Sequence, residues 1–116
     1  MPTPAPRSER RRAPRALASF SVQLSLADGK PATLKDISEI GLCCTSPVEV
    51  PEMTMLAVDF QLPGQAQKHR VQGAVVRCEP ARGRPSQFEI AVWFQEVPPA
   101  TRSALKGFVA HGKPAP

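Results

Sequence analysis

The sequence predicts an all-β protein: a small six-stranded antiparallel barrel, preceded by a disordered basic arm and followed by one short C-terminal helix. Two patterns carry this reading. Six short apolar stretches are separated by turn residues, several of them alternating apolar and polar residues with period two, and the period changes near the C-terminus to that of an amphipathic helix. A chain of 116 residues suits one modest core.

Residues 1–9 carry Pro2, Pro4 and Pro6 among small or charged residues, too little apolar surface to offset the entropy of ordering, and are expected to be disordered. Phe20, Val22, Leu24 and Leu26 then alternate with Ser19, Ser21, Gln23 and Ser25, the pattern of a half-buried strand. Asp28-Gly29 predicts a two-residue hairpin turn, because both residues tolerate positive φ, and the return strand runs from about Lys30 to Ile37. Gly41 marks a bulge, a bend or a close backbone approach before a third strand, Leu42 to Thr45.

Pro47 and Pro51 bracket a loop, and a fourth strand follows on the alternation of Leu56, Val58, Phe60 and Leu62. Pro63-Gly64 turns the chain, Val71 to Cys78 forms a fifth strand, and a loop spans Arg82 to Pro85. The sixth strand places Phe88, Ile90, Val92 and Phe94 on one face, with Ala91 and Trp93 on the other. The favoured place for Trp93 is under the helix, and lining a ligand surface is its alternative. Beyond Pro98-Pro99, Leu105, Phe108 and Val109 stand at i, i+3 and i+4, and His111 and Gly112 end the helix as a last-turn cation and a C′ glycine. The predicted organisation is a disordered arm over 1–9, a domain over 10–111 and a disordered tail over 112–116.

The net charge of +5 is unevenly distributed, since five arginines against Glu9 alone give residues 1–15 a net +4. A nucleic-acid-binding face spreads such charge over the folded surface, so here an anionic partner is expected at the arm. Cys43, Cys44 and Cys78 fit neither a disulfide framework nor a zinc-site spacing, and read as small hydrophobes in strands. His69 and His111 lack partners at ligand spacing, and no catalytic triad, paired carboxylate or phosphate-cradling glycine loop can be assembled, so no enzyme is expected. No window approaches the ~20 apolar residues of a membrane span, and the N-terminal residues lack the apolar run of a secretory signal. A cytoplasmic protein without membrane insertion is the expectation.

Two short motifs remain. Arg11-Arg12-Ala13-Pro14-Arg15 has the form RxxxR, and Asp36-Ile37-Ser38-Glu39-Ile40-Gly41 the form DxSxxG. Arginine's planar fork binds phosphate or guanine O6/N7 with two hydrogen bonds, and its face stacks on purines. Asp36, acceptor-only when ionised, suits the N1–H and N2–H₂ donors of guanine; Ser38 shares its side of an extended strand, and Gly41 permits close backbone approach. Taken singly, these residues equally fit a turn-capping aspartate, a serine of the ST type and a bulge glycine.

The two motifs together, in this order and joined by one hairpin, resemble the PilZ domain from about Arg10 to about residue 110. The resemblance implies a six-stranded barrel with a following helix and a non-enzymatic receptor for cyclic di-GMP, with no other cofactor. By analogy it assigns Arg11 and Arg15 to guanine edge and phosphate. Asp36, Ser38 and Gly41 complete the site, and Arg10 bears on whether one ligand or a stacked pair binds. Ala91 departs from the family, which often has glycine there. Output is expected through an unidentified protein partner, by ordering of the arm over the ligand. The rivals are a PilZ-like interaction module that binds no nucleotide, and a basic-tailed nucleic-acid binder on an OB-like barrel. The near-neutral body and the absence of tyrosine for stacking weigh against the second.

Overall fold

The computed structural model describes residues 16–18, 20–25, 31–111 and 113–114. The arm at 1–9, Arg10, Arg11 and Arg15, and the Asp28-Gly29 turn lie outside them. In chain order the elements are β1 (Ala16–Leu17), β2 (Ser21–Leu24), β3 (Pro31–Ile37), β4 (Gly41–Ser46), β5 (Met55–Gln61), β6 (Lys68–Pro80), β7 (Phe88–Glu96), helix α1 (Pro99–His111) and β8 (Lys113–Pro114). The six expected strands correspond to β2 through β7. β1 and β8 were not foreseen, two residues being too few to show a period. Of the expected tail, 112–116, only Lys113 and Pro114 are described, and they pair with β1.

The sheet runs β2-β5-β6-β7-β4-β3, and β2 also pairs with β3, so six antiparallel strands close on themselves. Closure leaves these strands no exposed edge and gives each an inner and an outer face. Inside lie the residues of the alternating phase, among them Val22, Leu24, Leu34, Val58, Ile90 and Val92, each at most 1% exposed. β1 and β2 follow one another along β3: Leu17 is opposite Asp36, and Ser21 is opposite Thr33.

Two of the register shifts decide which side chains face outward on this side of the barrel. β3 shifts register against β4 between Leu34 and Asp36, so that Lys35 and Asp36 both lie outside the core. β6 shifts against β7 between Val75 and Arg77, where Val76 is the extra residue and both Val76 and Arg77 are exposed.

α1 closes part of the barrel. Arg102 N–H donates to the Pro98 carbonyl at 2.9 Å, which makes Pro99 a first-turn residue whose missing N–H costs no hydrogen bond. Leu105 is fully buried in the core, and Phe108 meets Phe20 edge-on with ring centroids 6.3 Å apart. Thr101 and His69, both buried, tie α1 to β6, with His69 Nδ1 2.8 Å from Thr101 Oγ1. His111 Nδ1–H donates to the Gly107 carbonyl at 2.9 Å and satisfies one of the free C-terminal acceptors. Trp93 is not under this helix. It is 46% exposed on the outer face of β7, because the core already takes Val92 and Phe94 from the inward phase.

Candidate functional site

The DxSxxG stretch forms the β3–β4 connection. Ser38 N–H donates to the Gly41 carbonyl at 2.8 Å; the Ser38 hydroxyl accepts from Ile40 N–H at 3.1 Å and donates to the same Gly41 carbonyl at 3.3 Å. The serine is 1% exposed and holds its own turn in the ST manner. The turn is in turn fixed to β7, since Phe94 N–H donates to the Ile40 carbonyl at 2.8 Å.

Gly41 stands opposite Trp93, and a Cβ on it would lie 2.5 Å from the Val92 carbonyl oxygen and 3.4 Å from Trp93 Cδ1. Close approach to β7 therefore explains this glycine; the register shift of β3 falls at Leu34/Asp36, away from it.

Outside the barrel the register lines up one row across four strands. Asp36 on β3 is opposite Cys43 on β4, Cys43 opposite Ala91 on β7, and Ala91 opposite Arg77 on β6. A carboxylate and a guanidinium thus stand at the two ends of a floor made of small side chains. Asp36, Ser38, Gly41, Cys43, Arg77 and Trp93 line one pocket of about 400 Å3, within the ~300–1,000 Å3 of small-molecule sites. A second, wider hollow of about 730 Å3 carries both signs of charge, with Lys35, Arg82 and Arg84 beside Glu79 and Glu89, and touches none of Asp36, Ser38 and Gly41.

In the wider hollow, Lys35 and Glu89 form an ion pair. The hydrogen bond between them holds the Glu89 carboxyl below its ordinary range and raises Lys35. The Cys43 thiol, 3.6 Å from Glu89 Oε2, is pushed up to about 11, first by burial and then by the charges of Glu89 and Asp36. It is consequently a protonated, uncharged part of the pocket floor at neutral pH. Cys44, buried in the core, is pushed up to about 12, again chiefly by burial. Among the described residues no group of three or more histidine, cysteine or acidic side chains could hold a metal ion.

Of the site residues expected from sequence, Asp36, Ser38 and Gly41 come together in one pocket. Arg10, Arg11 and Arg15 lie outside the described residues. Sequence reasoning missed Arg77 and preferred the wrong place for Trp93. The signal for Arg77 was available: it occupies the phase of Val71, Gly73 and Val75, where an arginine announces that the strand must bulge to turn it outward.

The sequence matches the PilZ domain over residues 9–111. The chain belongs to the PilZ domain family. Similar solved structures include the inhibitor of motility MotI (DgrA) of Bacillus subtilis, with a TM-score of 0.76 and 16% identity, covering 87% of this chain and 50% of that one. The PilZ domain of Escherichia coli YcgR with c-di-GMP matches with a TM-score of 0.66 and 19% identity, covering 87% and 89% of the two chains. YcgR of Escherichia coli in complex with c-di-GMP matches with a TM-score of 0.68 and 20% identity, covering 87% and 45%. The chain therefore spans about half the length of MotI and somewhat less than half of the longer YcgR chain. No curated protein matches the sequence. Among the described residues, no helix is long and apolar enough to cross a membrane.

Proposed function

We propose that this chain is a non-enzymatic cytoplasmic receptor for cyclic di-GMP that changes the surface it offers to a protein partner when the ligand binds. The observation that carries the reading is the register of β1. Ala16 pairs with Ile37 and Leu17 with Asp36, so the strand that follows the RxxxR motif in the sequence begins beside the DxSxxG turn. We assign the RxxxR donors to the same ligand as the pocket, whose carboxylate suits guanine donors. The c-di-GMP complexes of the similar YcgR structures support the same ligand.

Arg11 and Arg15 supply charge-assisted bonds to phosphate and to guanine O6/N7, Asp36 takes N1–H and N2–H₂, and Ser38 and Gly41 hold the turn that presents them. Arg10 bears on whether one ligand or a stacked pair is held. Folding of the arm over the ligand is the switch, and its cost in entropy is recovered from these contacts. Isothermal titration with cyclic di-GMP, beside GTP and cyclic di-AMP, tests the assignment. Binding of cyclic di-GMP alone is expected, lost beyond detection in Arg15→Ala and weakened with loss of guanine selectivity in Asp36→Ala. Equal affinity in parent and Arg15→Ala would remove the arm from the site, and no binding by the parent would leave an interaction module.

A further inference from the structure

We propose that Arg77 and Trp93 complete a guanine subsite on the outer face of the barrel, Arg77 gripping O6 and N7 of the base whose N1–H and N2–H₂ go to Asp36, Trp93 walling it from the side, and the arginines of the arm serving the phosphates and the second guanine. This rests on the reading of the site as a cyclic di-GMP site. Asp36 and Arg77 occupy the two ends of the row that crosses β3, β4, β7 and β6. Three strand steps of ~4.8 Å put their backbones roughly 14 Å apart. Side chains that stand out from the sheet, as those of a strand do, leave room between them for one purine with its hydrogen bonds. Between them Cys43 and Ala91 raise no large group, so a planar base can lie on the floor.

The chemistry of the two ends is matched to guanine and to no other common base. A carboxylate takes N1–H and N2–H₂, while a guanidinium gives two bonds to O6 and N7, the acceptors that adenine's N6 amine interrupts. Arg77 is available for this. Its contact with Glu79 is 3.5 Å between half-exposed side chains, and the one to Cys43 Sγ is 4.0 Å, both weak enough for a ligand to replace.

Trp93 is exposed beside Gly41, whose absent Cβ leaves space next to the indole Cδ1. The motif glycine thus does two things: it lets β4 approach β7, and it gives the indole its place at the edge of the pocket. The indole supplies the apolar surface that a purine needs when it leaves water.

Because Trp93 is the only tryptophan and the chain has no tyrosine, its fluorescence reports the subsite directly. Titration of the full chain with cyclic di-GMP should quench or shift the emission with the same midpoint as the calorimetric isotherm. Trp93→Ala should weaken binding by ~10-fold or more, the size expected for loss of one base–aromatic contact. Arg77→Gln should weaken it by ~10-fold or more and narrow the preference over cyclic di-AMP, with Arg77→Lys failing to restore that preference. Thermal melts of the ligand-free variants establish that each is folded. A parent that binds while both variants bind as tightly, with silent fluorescence, would overturn the subsite and leave the receptor reading standing. A parent that gives no isotherm would overturn both.

Discussion

Gly41 and Ser38 show why motif residues need two separate measurements. Each has work in the ligand-free barrel that a ligand does not explain. A Cβ at Gly41 meets backbone, the Val92 carbonyl oxygen at 2.5 Å, which cannot rotate away. Gly41→Ala should therefore cost about 1–3 kcal/mol through displacement of β4 from β7. Ser38→Ala removes the partner of the part-buried Ile40 N–H and should cost about 0.5–1.5 kcal/mol. Urea unfolding of the ligand-free variants reads both. If either variant matched the parent's midpoint while losing ligand, the residue's place would be explained by binding alone. Asp36 differs from both, being partly exposed at the pocket, so its alanine variant should separate affinity from stability.

At the scale of elements, the strands are held by their inner faces and given character by their outer ones. Leu105 anchors α1 in the core through a fully buried side chain, so the helix is positioned by packing, whatever Gly107 subtracts from its intrinsic stability. Outside, Lys35 at the β3 bulge and Glu89 on β7 tie two strands across the one between them. Glu89's folded pKa is lowered by that bond, so its contribution is present above the ordinary carboxylate range and is lost as pH falls through the folded value. Lys35 is raised, so the lysine's share persists through neutral pH and is lost only above the ordinary lysine range. Both groups are partly solvated, which limits the pair to about 0.2–1 kcal/mol. Melting temperatures of parent and Glu89→Gln should differ at pH 7 and converge as the solution is acidified below about pH 4. A constant difference across that range would show that the glutamine disturbs packing and that the ion pair contributes nothing.

For the whole molecule, the proposed switch sets a closed barrel against an arm that orders only when ligand binds. Ligand bound only by the native state should raise stability by about 2.7 kcal/mol at a hundredfold excess over Kd. Hydrogen exchange with and without cyclic di-GMP should show new protection over Arg10 to Arg15 and none before Pro6, since only the arginine segment has donors to gain by docking. Pro14 lowers the entropy that segment has to lose, by restricting its own φ and biasing Ala13 to an extended form. Protection confined to the barrel would make the arm a bystander and end the proposed switch.

By itself the sequence determined what local pattern can determine. Alternation of Val22 with Gln23, or Ile90 with Ala91, sets which side chains enter a core whatever strand lies alongside, and the Leu105–Phe108 spacing does the same for α1. The Asp36–Ser38–Gly41 spacing was equally legible, because one turn contains it. Trp93 was not, and Arg77 was legible only as the sign of a bulge, because their places depend on partners far along the chain. Arg77 faces outward only because β6 bulges against β7, and Trp93 reaches the pocket only because it stands opposite Gly41, more than fifty residues earlier. Register between distant strands is chosen by the closure of the whole barrel, and a bulge of one residue reverses the face of everything beyond it.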